Sequence, residues 1–216
     1  MQEKMIFKDD IEKMYKLYLD TERQFVELSR IIPLDNKPET YSPRLYSIFH
    51  TACGQVENML RLICDKLELK YLNNDFPSYY EQLNVHGMLE RHKVILKEAN
   101  EPIQPFIIKD GKSPDWWKGY NKAKHALPEG IVEGNIGNTI NALAGICVLH
   151  QISYFAVHPP ENVLTKENWF EMEIDLNNIE TPAYVVSPSN RADENTMFYA
   201  ITTYSGIHEK HNQNKL

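Results

Sequence analysis

A chain of 216 residues with 42% hydrophobic and 25% charged residues has material for one sizeable core and too little for two full domains. Its formal net charge of -7 excludes a protein that coats nucleic acid over its whole surface, but leaves room for a local basic site. The three cysteines, Cys53, Cys64 and Cys147, lie in apolar helical patterns without CxxC spacing, so they read as buried thiols of a reducing compartment rather than as zinc ligands.

The N-terminal MQEKMIFKDD has neither a basic n-region nor an apolar h-region, and the expected location is cytoplasmic. Asp9 or Asp10 caps a first predicted helix, in which Ile11, Met14, Tyr15, Tyr18, Phe25, Leu28 and Ile32 recur at three- and four-residue steps until Pro33. After the turn-rich LDNKPETYSP, a second helix is predicted from Ser42 or Pro43 to about Leu69, its apolar stripe running from Leu45 to Leu67. Residues 70–112 read as an insertion: one broken or two short helices around Gly87, then an extended loop, EPIQPFIIKDGKSP, covering one end of the bundle.

A further long helix is predicted from about Gly134 to Val157, and no charged residue occurs from Gly134 through Pro160. Asn135, Asn138, Asn141, His150 and Gln151 make it too polar for a membrane span, so it is expected at the centre of the bundle or at a subunit interface, with no membrane partner. The bundle is thus assigned to residues 1–158. Residues 159–216 form an acidic extension packed on it; PAYVVSP and MFYAITTY suit a two-stranded hairpin or clasp, and the tail HEKHNQNKL suits disorder.

The stretch with the most chemistry is SPDWWKGYNKAKHAL, Ser113 to Leu127. With Pro114 in the first turn, Ser113 is the natural N-cap, Asp115 suits the positive helix end, and Pro128 stops the helix. Lys118, Asn121 and His125 at i, i+3 and i+7 share one stripe, and Trp117, Tyr120 and Lys124 share the next. Between Lys109 and Leu127 five lysines face two aspartates, a local +3 inside an acidic chain.

This order of helices, together with YNKAKH and the surrounding WWKGYNKAKHAL, resembles the HEPN superfamily over about residues 9–157. The resemblance implies an all-α bundle of four to five helices with a small irregular extension. It also implies a metal-independent ribonuclease of toxin, abortive-infection or antiviral defence type, without cofactor, acting on RNA. Asn121 and His125 fall on the polar and histidine positions of the motif. Tyr120 stands where the superfamily has arginine, and no arginine lies between Arg91 and Arg191; Lys118 supplies a cation at an allowed spacing, but without a planar bidentate fork. Because one site holds one histidine, the resemblance further implies a homodimer with a composite site.

The candidate catalytic set is therefore His125, Asn121, Lys118 and Tyr120, with Lys122, Lys124 and Trp117 for substrate. Glu57 and Arg61, an i, i+4 pair on the second helix, are supporting candidates. Each residue has a structural alternative: Asn121 and His125 bonding to backbone inside the bundle, the tryptophans as core anchors, and Glu57 with Arg61 as a surface ion pair. The other functional class is a catalytically inactive dimerisation or adaptor module, or a regulatory subunit with a protein partner from the same operon, which Tyr120 in the arginine position favours.

Overall fold

The computed structural model describes residues 2–33, 37–84, 88–96, 102–157 and 198–202. Helix α1 spans Gln2–Ser29, α2 Pro43–Lys66, α3 Phe76–Leu83, α4 Met88–Arg91, α5 Asp115–His125 and α6 Ile136–Val157, with a 3-10 turn at Glu129–Glu133. The architecture among these residues is a helical bundle. Strands β1 (His92–Leu96), β2 (Pro102–Ile103) and β3 (Phe198–Thr202) make a small antiparallel sheet in the order β2-β1-β3.

Helix α2 starts where the sequence places it. Pro43 takes the first helical turn, and the Ser42 hydroxyl accepts from the Leu45 amide at 3.1 Å, satisfying one orphan donor. Its stripe Leu45, Ile48, Phe49, Ala52, Val56, Met59, Leu60 and Ile63 is buried at 2% exposure or less. It lies against α6, which is apolar all round rather than striped: every residue from Ala142 to Gln151 is buried. No helix among the described residues is long and apolar enough to cross a membrane. The hydroxyls of Thr139 and Ser153 solve their own burial by donating four residues back, to Asn135 O at 2.7 Å and Leu149 O at 2.8 Å.

Buried polar groups gather where α1 meets α2 and α6. Gln55 donates to Thr21 Oγ1 at 2.7 Å, and Thr21 in turn donates to Leu17 O at 2.9 Å. His150, 5% exposed, lies between Tyr15 and Tyr18, ring centroids 5.3 and 5.5 Å away. Burial pushes its pKa from 6.5 down to about 4, against the opposing pull of the Met14 backbone. The folded state thus keeps it neutral where the unfolded chain protonates, so this contribution to stability is intact above pH 6.5 and is lost as pH falls toward 4. The full shift corresponds to about 3 kcal/mol. A His150→Gln variant is expected to lose less stability than the wild type between about pH 7 and about pH 5, measured by urea unfolding at each pH.

The segment 70–112 departs from expectation in two ways. It does not merely cover an end of the bundle: Phe76, Tyr79, Tyr80, Leu83, Leu89, Val94, Leu96 and Phe106 are all buried in the common core. And HKVIL, read as part of a short helix, is strand β1. Its side chains at His92, Val94 and Leu96 are buried while Lys93 is half-exposed, a period of two that β-branched residues favour. From the extension, Phe198–Thr202 supplies β3, which pairs with β1 from His92↔Thr202 to Leu96↔Phe198. PAYVVSP and the tail HEKHNQNKL lie outside the described residues.

Close backbone approach sets the frame around α5. A Cβ on Gly134 would land on the backbone of Tyr46 in α2, and one on Gly130 would come within 2.6 Å of Ala123 Cα and Lys122 O. Neither neighbour can yield, because each belongs to a helix backbone. Gly134→Ala is expected to cost about 1–3 kcal/mol, measured by urea unfolding.

Candidate functional site

Helix α5 begins differently from the expectation. Ser113 does not cap it; Pro114 holds the cap position in extended backbone (ψ 155°), and its carbonyl accepts from the amides of Trp117 at 3.0 Å and Lys118 at 3.1 Å. No side chain caps the helix, and Ser113 is buried. Asp115 is the first helical residue, at the positive end of the dipole. The helix ends at His125, two residues short of Leu127, and the chain turns through a cis Leu127–Pro128 peptide into the 3-10 segment.

The two tryptophans are structural. Trp116 donates its indole N–H to Pro105 O at 2.6 Å and meets Phe76 and Phe106 edge-on. Trp117, expected to contact substrate, is 2% exposed and stacked on Phe76 with centroids 4.3 Å apart, so its ring faces are used by the core. Tyr120, expected in the catalytic set, is likewise buried at 4%, against Phe49, His50 and Trp117. Burial, with the nearby Cys53, Glu57 and Tyr46, pushes its pKa up to about 12, so it stays a neutral phenol. The position that carries arginine in the resembled family therefore holds an uncharged core residue here.

The opposite face is open. Lys118, Asn121, Lys122, Lys124 and His125 are all exposed, so the stripe read from the spacing points to solvent and not into the bundle. Asn121 and His125 make no side-chain hydrogen bond among the described residues, which removes the alternative of helix-packing bonds to backbone. Lys118 Nζ lies 2.7 Å from Asp115 Oδ1, and this bond holds the aspartate below its ordinary range. Lys122 Nζ lies 2.6 Å from Glu133 Oε1. Lys124 Nζ sits 5.7 Å from the centre of the Tyr120 ring, a cation–π contact at the edge of the face.

Glu133 and Asn138 belong to this site and went unnoticed in the sequence. Asn138 Nδ2 donates to Glu133 O at 2.9 Å, and a Cβ at position 119 would come within 2.8 Å of Asn138 Nδ2, so a larger residue there pushes this side chain aside. The supporting pair is not formed. Arg61 donates to Asn58 Oδ1 at 3.0 Å instead of meeting Glu57, while Glu57, half-buried, lies near enough to Tyr120 and Cys53 to raise both.

A second histidine approaches from α2. His50, partly exposed, meets Tyr120 edge-on at 5.1 Å and Tyr46 at 5.9 Å, and the Tyr46 hydroxyl donates to Ala123 O at 3.3 Å. Its spacing from Tyr46, one turn along α2, is visible in the sequence, but its neighbourhood with α5 arises only from helix packing. No three His, Cys, Asp or Glu side chains gather to hold a metal ion among the described residues. These features define a helical bundle that carries a basic, histidine-bearing helix face beside a row of aromatic side chains. Compared with protein-family models, curated proteins and solved structures, the chain matches none.

Proposed function

We propose that the exposed face of α5 binds RNA and that His125 transfers a proton in metal-independent cleavage of its backbone, the chemistry of the HEPN-like ribonucleases this chain resembles. The observation that carries the reading is the joint exposure of Lys118, Asn121, Lys122, Lys124 and His125 on one helix face of an acidic protein. An imidazole that is solvent-exposed and makes no side-chain hydrogen bond among the described residues can take a proton from a ribose 2′-hydroxyl, or give one to the departing 5′-oxygen. The 2′-oxygen then attacks phosphorus, the P–O5′ bond breaks, and the products are a 2′,3′-cyclic phosphate and a 5′-hydroxyl. Lys124 and the paired Lys118 stabilise the added negative charge, and Asn121, one turn from His125, holds a phosphate oxygen. One imidazole serves as base or acid but not both in the same step, so a second copy of the chain supplies the other in a homodimer.

One observation favours a second reading, an inactive dimerisation or adaptor module. Tyr120 fills the arginine position from within the core, and two of the lysines already hold carboxylates. The deciding experiment incubates the purified chain with total RNA in EDTA and resolves the products on a gel. Cleavage supports the first reading; RNA that is bound but intact supports the second; protein that neither binds nor cuts RNA sinks the proposal.

A further inference from the structure

An RNA-binding helix face of this kind has phosphate contacts but, with both tryptophans buried, no base contact on α5 itself. The aromatic rings open to solvent nearby come from a different element. Tyr46 and His50 stand one turn apart on α2, both partly exposed, with centroids 5.9 Å apart and planes inclined by 40°. His50 touches the same Tyr120 ring that Lys124 covers, which puts this pair at the margin of the basic face. Tyr41, 51% exposed, lies two residues before α2: its backbone bridges to Asn135, next to Gly134, which packs directly on the backbone of Tyr46.

We infer that Tyr41, Tyr46 and His50 form a stacking row for the unpaired bases of single-stranded RNA whose phosphates lie along α5, an inference that rests on the RNA reading above. Three features support it. The rings are aromatic and partly open, as base stacking requires. His50 meets the Tyr120 ring that Lys124 also approaches, and the Tyr46 hydroxyl bonds the carbonyl of the neighbouring Ala123, so a strand with its backbone on the basic face has its bases within reach of these rings. And Tyr46 is held in place by its hydroxyl bond to Ala123 O and by Gly134 beneath its backbone, so little ordering is left to be done on binding. Stacking tolerates any base, because each presents a π-face, so the row selects for strandedness and not for sequence.

The test uses the full chain and three fluorescein-labelled RNA probes of equal length: a single strand, its duplex, and an abasic strand that keeps the phosphates. The wild type is expected to bind the single strand about tenfold more tightly than the abasic strand or the duplex in anisotropy titrations. His50→Ala and Tyr41→Ala should each narrow that gap severalfold while leaving the salt dependence of binding unchanged, since no phosphate contact is removed. His50→Phe, which keeps a ring, should restore it. Tyr41 is exposed, so its variant reads out even if His50→Ala disturbs α2. Equal binding of single-stranded and abasic probes by the wild type, or an unchanged gap in both alanine variants, overturns the stacking row and leaves the basic face standing. Wild-type protein that binds no probe overturns both.

Discussion

Trp116→Ala is expected to lower the free energy of unfolding by about 3–5 kcal/mol, the largest stability loss of any single change considered. Trp116 is 3% exposed and sits where four segments meet: α3 through Phe76, the loop through Phe106 and Pro105, its neighbour Trp117, and α6, where a Cβ on Gly145 would touch its ring at 3.6 Å. Truncation opens a cavity beside the rings of Phe76, Phe106 and Trp117, and it removes the indole donor of the Pro105 carbonyl. Trp116→Phe separates the two contributions, because it keeps most of the ring volume and loses the hydrogen bond; its expected cost is about 1–3 kcal/mol. Urea unfolding followed by far-ultraviolet circular dichroism gives both values, and thermal scans should show the alanine variant melting about 6–20 °C lower. A loss below about 1 kcal/mol for the alanine variant would mean that α5 is not anchored through this side chain.

The same residues explain what could be read in advance. The long helices were legible because their apolar positions recur at helical spacing, and the start of α2 is spelled out: Ser42 and Pro43 sit where the chain leaves a turn, and Ser42 caps as expected, whereas α1 begins at Gln2, so that Asp9 and Asp10, expected to cap it, lie inside the helix. Although spacing does not say which way the stripe faces, that Lys118, Asn121 and His125 share one stripe of α5, whatever the helix packs against, was legible for the same reason. Three things were not. At the start of α5, Pro114 displaced Ser113 from the cap, a choice between adjacent residues that turns on one backbone angle. In HKVIL, five residues suit a short helix or a strand, and pairing with Phe198–Thr202, roughly a hundred residues on, decided for strand. And the company of His50, Glu133 and Asn138 is set by α2 and the 3-10 segment closing on α5, through Gly119, Gly130 and Gly134, which leave no periodic trace. The stripe of the site was therefore readable, and its exposure and tertiary border were not.

His125→Ala is expected to reduce RNA cleavage by about 10²–10⁴-fold, the contribution of one positioned acid or base, while the free energy of unfolding moves by no more than about 0.5 kcal/mol. The two expectations belong together. The imidazole is exposed at the last turn of α5 and makes no side-chain bond among the described residues, so its removal leaves no cavity and no orphaned partner. A simple loss of folding therefore cannot imitate the loss of activity. Lys124→Ala provides the contrast: it removes a cation from the border of the face, so RNA affinity should fall and the dependence of affinity on salt should weaken by roughly one phosphate contact, with cleavage at saturating RNA less affected than in the histidine variant. Gel-resolved cleavage in EDTA and binding isotherms at several salt concentrations supply both readouts from the same preparations. Full activity in His125→Ala would place the chemistry elsewhere on the chain. Loss of affinity in Lys124→Ala from a wild type that cuts nothing would leave an RNA-binding face without a catalyst, which the neutral, buried Tyr120 in the arginine position would then explain.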